Sequence, residues 1–482
     1  MFSSIRVDPE EFPGRRERAA VSDTTVGLCR LTVRAPDRAF DIGVPVDVPV
    51  ADLLPVLVDY AGDDLHEAGL EQGGWAIQRL GRPPLDDEGT PRTLELRDGE
   101  TLYLRPRNET LPEVAYDDLV DGVGDALRAR PDSWRPELTR RLLLGLTATA
   151  LTVALTVLAL PGPATLRAVL GAGLALLLIG CSGAASRAVG DASGGAVLGI
   201  MAVPGMALAG ALVPTGGEPE VLLGARLLAA GAAGAGASVL ALAAVAACAP
   251  LFLGALTVSL FVAVGGGAVV AGLPLAHAAG VVVLLVLICG GLVPGLGFRL
   301  SGLRLPVLPA NADQLQEGID PHPAEHVNSR AVLADTYLTG LYAALGLVSA
   351  GCLTALLTAP ATDSWPPLVC ACVLSLLLLL HSRHFGSLWQ RLAMVLPGAY
   401  GLALAATAGA TGLGLPARLA LIAVLLAAGA VAAVAAWTVP GRRLVPYWGR
   451  IGDLLHTTTA VVLVPLAILV AGIYQQLRAV NG

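Results

Sequence analysis

Residues 276–298 read AHAAGVVVLLVLICGGLVPGLGF, a run without a single Asp, Glu, Lys or Arg. A helix needs about 20 apolar residues to cross a bilayer core about 30 Å thick, so this run predicts a transmembrane helix. The sequence predicts an all-α polytopic membrane bundle of about eleven such helices over residues 142–478. The other ten runs lie near 142–160, 166–186, 194–213, 222–244, 249–271, 331–357, 365–381, 391–412, 416–438 and 452–475.

The boundary between the fourth and fifth of these eleven runs is the least marked. Cys248, Ala249 and Pro250 separate them without a charged residue, whereas the sequence GGEPE at 216–220 separates the third run from the fourth. Proline favours a helix start and glycine a turn. If the chain does not turn near Cys248, the number of spans falls to ten.

Charged residues are unevenly distributed along the chain. They make up 14% of the 482 residues, against about 25% in a soluble domain. Residues 1–141 nevertheless hold 18 of the 31 basic residues, all of them Arg, and 28 of the 38 acidic ones. This predicts a soluble, net acidic region ahead of the membrane part. Residues 1–20 lack the apolar stretch of a signal peptide, so we expect this region to stay in the cytosol.

The arginines near the ends of the predicted spans indicate their orientation in the cell membrane. Cytosolic loops of membrane proteins are enriched in Lys and Arg. With the N-terminus in the cytosol, nine loop arginines lie on the cytosolic side and four on the opposite side. We expect seven arginines at cytosolic boundaries to act as anchors or docking contacts: Arg140, Arg141, Arg299, Arg304, Arg330, Arg442 and Arg443.

The soluble region carries the pattern of a small α+β domain over residues 25–107. Alternating apolar residues predict strands, and leucines at helical spacing predict a helix. A hairpin, a helix, a third strand and a closing strand after an Asp-Gly turn are the order of a β-grasp, ubiquitin-like fold. The hairpin strands are predicted at 25–33 and 39–46 and the helix at 50–63. The third strand is predicted at 74–80, and the Asp-Gly turn with the closing strand at 93–104.

Two segments flank this domain. Residues 1–24 are polar and rich in charge, which predicts a disordered tail. Residues 108–141 form a linker, in which 116–130 place Leu119, Val123 and Leu127 on one face of a predicted amphipathic helix.

Ionisable residues within the predicted spans are few and lie near their ends. Asp335, Asp453, His277 and His456 are the candidate interfacial or intramembrane polar residues. None lies convincingly at the middle of a span, where ion-coupled carriers place such groups. The sequence predicts no catalytic residue, no cofactor, no metal site and no nucleic-acid binding. A phosphate-binding loop of the Walker type is excluded, because the chain has no Lys.

The longest loop between spans is predicted at 299–330, on the cytosolic side. His322 and His326 are four residues apart in it, with Glu325 beside His326. Pro321 and Pro323 disfavour a helix there, so we expect a protein-docking segment and no metal pair.

A ubiquitin-like domain fused to eleven spans resembles the EccD family, the polytopic membrane subunit of type VII (ESX) secretion systems. The resemblance covers nearly the whole chain. Its local pieces are 26–46, Gly74-Trp75, the Asp98-Gly99 turn, Arg140-Arg141, 450–453 and 472–474.

This resemblance implies a role and partners. EccD proteins form the bulk of the membrane part of the secretion complex, two paired copies per protomer, beside EccB, EccC and EccE. EccC is the ATPase, and the resemblance implies that the ubiquitin-like domain lies near it in the cytosol. The membrane helices are expected to contact lipid as well.

Two other functions are compatible with the sequence. A secondary transporter of small solutes with a regulatory soluble domain fits the number of spans, although we find neither internal repeats nor midplane charges. A membrane enzyme or receptor anchored by its spans ranks last, since eleven helices far exceed what anchoring requires.

Overall fold

The computed structural model describes residues 27–36, 38–62, 65, 73–107, 118–128, 130, 134–303, 323–358, 365–439 and 446–474. The chain divides into two compact units, Met1–Trp134 and Arg135–Gly482. The predicted disordered tail, most of the predicted loop at 299–330, and the residues Arg304, His322, Arg442 and Arg443 lie outside the described residues.

The first unit contains a four-stranded mixed sheet. Its strands are β1 (Leu28–Arg34), β2 (Ala39–Pro45), β3 (Trp75–Gln78) and β4 (Glu100–Pro106), and helix α1 (Val50–Ala61) lies between β2 and β3 in the chain. The spatial order is β2-β1-β4-β3, with β1 and β4 parallel and the other pairs antiparallel. This arrangement confirms the predicted ubiquitin-like fold.

One face of this sheet is buried against α1. Strands place successive side chains on opposite faces, and Leu31, Val33, Leu102 and Leu104 are at most 4% exposed. They pack with Leu57 and other apolar residues of α1 in a single core cluster. The opposite face carries Arg30, Thr32 and Arg34 of β1 beside Thr101, Tyr103 and Arg105 of β4.

The turn before β4 explains the Asp-Gly pair. Gly99 has φ +81°, a conformation that glycine adopts without steric cost. Its N–H donates to the carbonyl of Arg30 at 2.8 Å, and the carboxylate of Asp98 accepts the N–H of Arg30 at 2.7 Å. The turn therefore joins β4 to β1 through both backbone and side chain.

The linker helix α2 spans Leu119–Arg128 and is the amphipathic helix that the sequence predicts. Leu119, Val123 and Leu127 are all at least 50% exposed.

The second unit contains eleven helices that are long and apolar enough to cross a membrane, among the residues the structure describes. This number confirms the predicted eleven spans. The helices are α3 (Pro136–Ala159), α4 (Ala164–Arg187), α5 (Ala192–Ala211), α6 (Pro219–Val245), α7 (Ala249–Val270), α8 (Leu275–Leu300), α9 (Ala324–Thr358), α10 (Pro366–His381), α11 (Leu388–Thr411), α12 (Leu415–Thr438) and α13 (Pro446–Val470).

The chain does turn near Cys248, so the alternative of ten spans is wrong. Ala246 and Cys248 both adopt left-handed conformations with φ 54°. An L-residue in this region blocks helix continuation, and Pro250 lies in the first turn of the next helix, where its missing N–H costs nothing. Two non-glycine residues thus reverse the chain between α6 and α7 without any charge.

Helix α9 begins earlier than the sequence predicts. It starts at Ala324 rather than near 331 and contains Glu325 and His326. The expectation that prolines prevent a helix at His326 is therefore wrong. Pro323 directly precedes the helix, a position where proline is tolerated because no intrahelical hydrogen bond is lost.

Close packing of α6 and α7 depends on glycines. A Cβ built at Gly231 would lie 2.6 Å from the carbonyl oxygen of Ser259, and one at Gly266 would lie 2.7 Å from that of Gly224. Small residues allow this kind of backbone approach between membrane helices. Gly236 meets no atom within 4 Å and is exposed, so only some of the glycines in these helices serve the interface.

Candidate functional site

A cavity of about 240 Å³ lies among α8, α9, α10, α11 and α13. Most of its lining is aliphatic, from residues such as Val283, Leu345 and Leu463. Its few polar side chains include Tyr342, Ser349, His381 and His456. Ligand cavities commonly combine an apolar wall with a few polar groups, so this cavity, which two histidines line, is one candidate site of the membrane unit.

Three histidines meet beside this cavity, and we call His381, His384 and His456 the histidine cluster. The Nδ1 atom of His381 lies 3.1 Å from the Nε2 atom of His456. The two rings are nearly parallel, with centroids 5.3 Å apart, and the ring of His384 lies 4.9 Å from that of His456. Each histidine offers one ring nitrogen, and these three nitrogens lie within 4.8 Å of one another.

The position of the histidine cluster follows from the ends of two helices. His381 is the last residue of α10, and the 3₁₀ turn Ser382–His384 carries His384 just beyond it. His456 lies within α13, which packs along α10. Phe385 packs edge-on against the rings of His381 and Tyr342, with centroids 5.1 and 4.6 Å away. Because α13 begins at Pro446 rather than near 452, His456 lies further inside its helix than the sequence predicts.

Asp453 lies on α13 near the histidine cluster. Its carboxylate is 3.9 Å from the guanidinium of Arg383, a long and exposed ion pair that contributes little to stability. Arg383 lies across Gly452, where a Cβ would overlap the guanidinium, and it donates to the carbonyl of Gly449 at 3.5 Å. Glycine at 452 therefore allows Arg383 to cross α13.

Asp335 is joined to a neighbouring helix. Gln390 on α11 is 5% exposed, and its amide donates to the carboxylate of Asp335 at 2.8 Å and to the hydroxyl of Thr339 at 3.2 Å. This polar contact ties α9 to the first turn of α11. Such interhelical hydrogen bonds contribute about 0.6 kcal/mol on average within a membrane.

His277 lies in the first turn of α8, away from the histidine cluster. Gly472, beyond the end of α13, approaches its ring so closely that a Cβ would lie 2.9 Å from Nδ1. Gly472 also has φ +72°. His277 therefore contacts the end of α13.

Arg140 forms a polar network at the start of the membrane unit. It pairs with the carboxylate of Asp191 and donates to the hydroxyl of Ser193 at 2.5 Å. Asp191 caps α5 by accepting the N–H of Gly194 at 2.8 Å. The bonds from Gly194, Ser193 and Arg140 hold the pKa of Asp191 below its usual range. Arg140 thus fastens α3 to the N-terminus of α5.

The remaining predicted arginines differ in their surroundings. Arg330 donates to the carbonyl of Ser301 at 3.2 Å, which places its charge at the C-terminal end of α8. Arg141 and Arg299 have exposed side chains. The structure therefore gives Arg140 and Arg330 contacts within the membrane unit.

Sequence reasoning missed His381 and His384. The signal was the sequence HSRH at 381–384, since residues three apart lie on one side of a helical turn. Their proximity to His456 could not be read from the sequence, because 75 residues separate His381 from it. Asp191 and Gln390 were also missed, as their roles depend on residues in other helices.

Two family models match the chain. The EccD-like transmembrane domain matches residues 139–480. The protein YukD of the WXG100 protein secretion system (Wss) matches residues 28–104, the sheet-containing unit.

Curated relatives carry names from ESX secretion systems. The ESX-4 secretion system protein eccD4 of Mycobacterium tuberculosis (strains H37Rv and CDC 1551) is 30% identical over 481 residues, which cover 94% of this chain and 97% of the relative. EccD5, an ESX-5 secretion system protein of Mycobacterium marinum, is 27% identical over 210 residues, covering 38% of this chain and 41% of the relative.

Solved structures share the fold. A chain of protomer 1 of the ESX-3 core complex matches with a TM-score of 0.56 at 20% identity, over 93% of this chain and 100% of the other. A chain of an ESX-5 inner membrane complex matches with a TM-score of 0.57 at 20% identity, over 85% and 99%. With its membrane unit matched by the family model and a relative 30% identical over nearly its full length, this chain belongs to the EccD family.

Proposed function

We propose that this chain is a non-enzymatic membrane subunit of an ESX-type protein secretion complex, in which its eleven helices form the bulk of the membrane scaffold or conduit wall. The observation that carries this proposal is the absence of charge inside the bundle. Among the described helices of the membrane unit, His456 on α13 is the one histidine within one turn of the middle of a span, and no Asp, Glu, Lys or Arg lies there. A self-powered carrier needs such groups, whereas a scaffold does not.

The exposed surfaces of two helices support a role in a larger assembly. Helix α12 is strongly apolar, yet none of its residues is buried, and α3 buries only Leu155. These helices must therefore be covered by lipid or by other protein, as expected of a subunit that pairs with a second copy and with EccB-, EccC- and EccE-type subunits.

The ubiquitin-like unit supplies the docking surface for the ATPase subunit. The exposed face of its sheet carries Arg30, Arg34 and Arg105 around Tyr103. Arginine and tyrosine are enriched at protein interfaces, and a basic face selects an acidic partner surface. This function requires the N-terminal region to lie in the cytosol, as the distribution of loop arginines also indicates.

The test is purification of the tagged full-length chain from its native membrane in mild detergent, with identification of the proteins that accompany it. We expect an FtsK-like ATPase together with other membrane subunits. Recovery of the chain as a lone monomer that takes up small solutes in proteoliposomes would support the transporter instead.

Charge reversal on the sheet face tests the docking surface separately. We expect the double variant Arg34→Glu/Arg105→Glu to lose the ATPase while it retains the other membrane subunits. The matched control Arg82→Glu, an exposed arginine in the turn after β3, should retain both. Unchanged ATPase recovery in the double variant would contradict docking through this face.

A further inference from the structure

We propose that His381, His384 and His456 form a three-histidine site for a divalent transition metal ion of the zinc class, which joins α10 to α13. Imidazole nitrogen suits Zn²⁺ and its neighbours in the periodic table, and three protein ligands with an open fourth position are a common zinc arrangement. The site is separate from the sheet face on which the proposed docking depends.

The spacing of the ring nitrogens fits such an ion. Two imidazole nitrogens, each 2.0–2.1 Å from one tetrahedral zinc ion, lie about 3.3 Å apart. The Nδ1 of His381 and the Nε2 of His456 are 3.1 Å apart, close to this separation. The third nitrogen lies within 4.8 Å of the others, and His384 is exposed, so a small shift of its ring brings that nitrogen into range.

The hydrogen bond of His384 prepares it to act as a ligand. Its Nδ1 lies 3.2 Å from the backbone carbonyl oxygen of His381. A carbonyl only accepts hydrogen bonds, so this nitrogen carries the proton and Nε2 keeps a free lone pair. Metal-binding histidines usually hold their second ring nitrogen in this way, on a carbonyl or carboxylate.

The charges around the site balance. Arg383 is the nearest cation, but its guanidinium is directed to the carbonyl of Gly449 and to the carboxylate of Asp453. Asp453 precedes His456 by three residues on α13 and so lies on the same side of that helix. Its negative charge offsets that of Arg383 beside the incoming ion.

A bound ion would lie where α10 ends and the cavity opens. His381 and His456 line the cavity, whereas His384 is exposed. An ion held by all three would fix the end of α10 against α13. The competing interpretation is a hydrogen-bonded histidine pair that serves only the packing of these two helices.

The test uses the full-length protein purified in mild detergent through a tag without histidines and then stripped with EDTA. We expect one equivalent of Zn²⁺ per chain by isothermal titration and elemental analysis, and an unfolding midpoint that rises with zinc concentration, as mass action requires. Co²⁺ should give the visible absorption of a four-coordinate complex.

Variants separate this site from incidental binding. His384→Gln removes an exposed ligand, so the fold should persist, and we expect zinc affinity to fall at least about 10-fold, the smallest loss typical even of an outer-shell change. His456→Gln should act similarly, while His326→Gln and His277→Gln, outside the histidine cluster, should bind as the parent chain does. Less than about 0.1 equivalent of zinc in the parent chain, or equal binding by His384→Gln, would overturn the proposal.

Discussion

At the scale of single residues, Glu100 holds the start of β4 in place. Its carboxylate accepts Arg79 Nε–H at 2.6 Å and the backbone N–H of Arg97 at 2.9 Å. Partial burial disfavours the charged form, but these two donors outweigh it and hold the pKa of Glu100 below its usual range. Arg79 also donates to the carbonyl of Leu94 at 3.0 Å, so one ion pair connects β3, β4 and the loop between them.

Glu100→Gln should lower the free energy of unfolding of the sheet-containing unit by about 1 kcal/mol at pH 7. This is below the usual contribution of a hydrogen bond to a charged group, because the pair is partly exposed to solvent. Because the pKa of Glu100 is lower in the folded state, its carboxylate stabilises the fold fully above the unfolded-state pKa of about 4.3. This stabilisation is lost as the pH falls through the folded-state pKa. Denaturant unfolding of residues 1–134, followed by fluorescence, should show the difference shrinking below about pH 4. The exposed control Glu88→Gln should change little at any pH, and a difference that persists in acid would contradict this account.

At the scale of helices and strands, the local elements are predictable from the sequence and the histidine cluster is not. The spans are predictable because the bilayer requires about 20 apolar residues wherever a helix crosses it, and β1 is predictable from its alternation. The meeting of His381 with His456 depends on how α10 packs along α13, and no local pattern contains that information. The start of α9 at Ala324 was missed because Pro323 was interpreted as a helix breaker, although proline equally precedes helices.

The turn between α6 and α7 stores conformational strain at Ala246. A left-handed alanine costs about 1 kcal/mol relative to glycine, so Ala246→Gly should raise the unfolding midpoint of the full-length protein in detergent. Ala232→Gly, at an exposed position in the middle of α6, is the matched control, and it should lower stability by about 0.5–1 kcal/mol. Equal destabilisation by both substitutions would show that Ala246 is helical.

The contact between α6 and α7 should not tolerate one added methyl group. Gly231→Ala forces a Cβ against the backbone of Ser259 and Ala263, and we expect a loss of about 1–3 kcal/mol, as for other overpacked interfaces. Gly236→Ala on the same helix adds its methyl group to open space and should leave the thermal unfolding midpoint in detergent unchanged or slightly higher. If the two variants unfold at the same temperature, the helices are not in backbone contact.

At the scale of the whole molecule, charge separates two environments. The first 141 residues hold most of the acidic groups, whereas the few acidic groups of the eleven spans lie outside the central turns. Trp365, Trp389, Trp437 and Trp448 lie near helix ends. Interfacial tryptophans and terminal arginines together indicate where each helix meets the membrane surface.

The orientation of the whole chain can be tested across a single helix, α5. If the N-terminus is cytosolic, the loop at Val189, after α4, faces the cytosol and the loop at Gly216, after α5, faces the opposite side. Alkaline phosphatase fused after Gly216 should therefore be active, since the enzyme needs an oxidising environment for its disulfides, and a fusion after Val189 should be inactive. A cytosol-active reporter such as a fluorescent protein should give the reverse pattern at the same two positions. Active phosphatase at Val189 with an inactive fusion at Gly216 would invert the orientation and place the ubiquitin-like unit outside, where it could not meet a cytosolic ATPase.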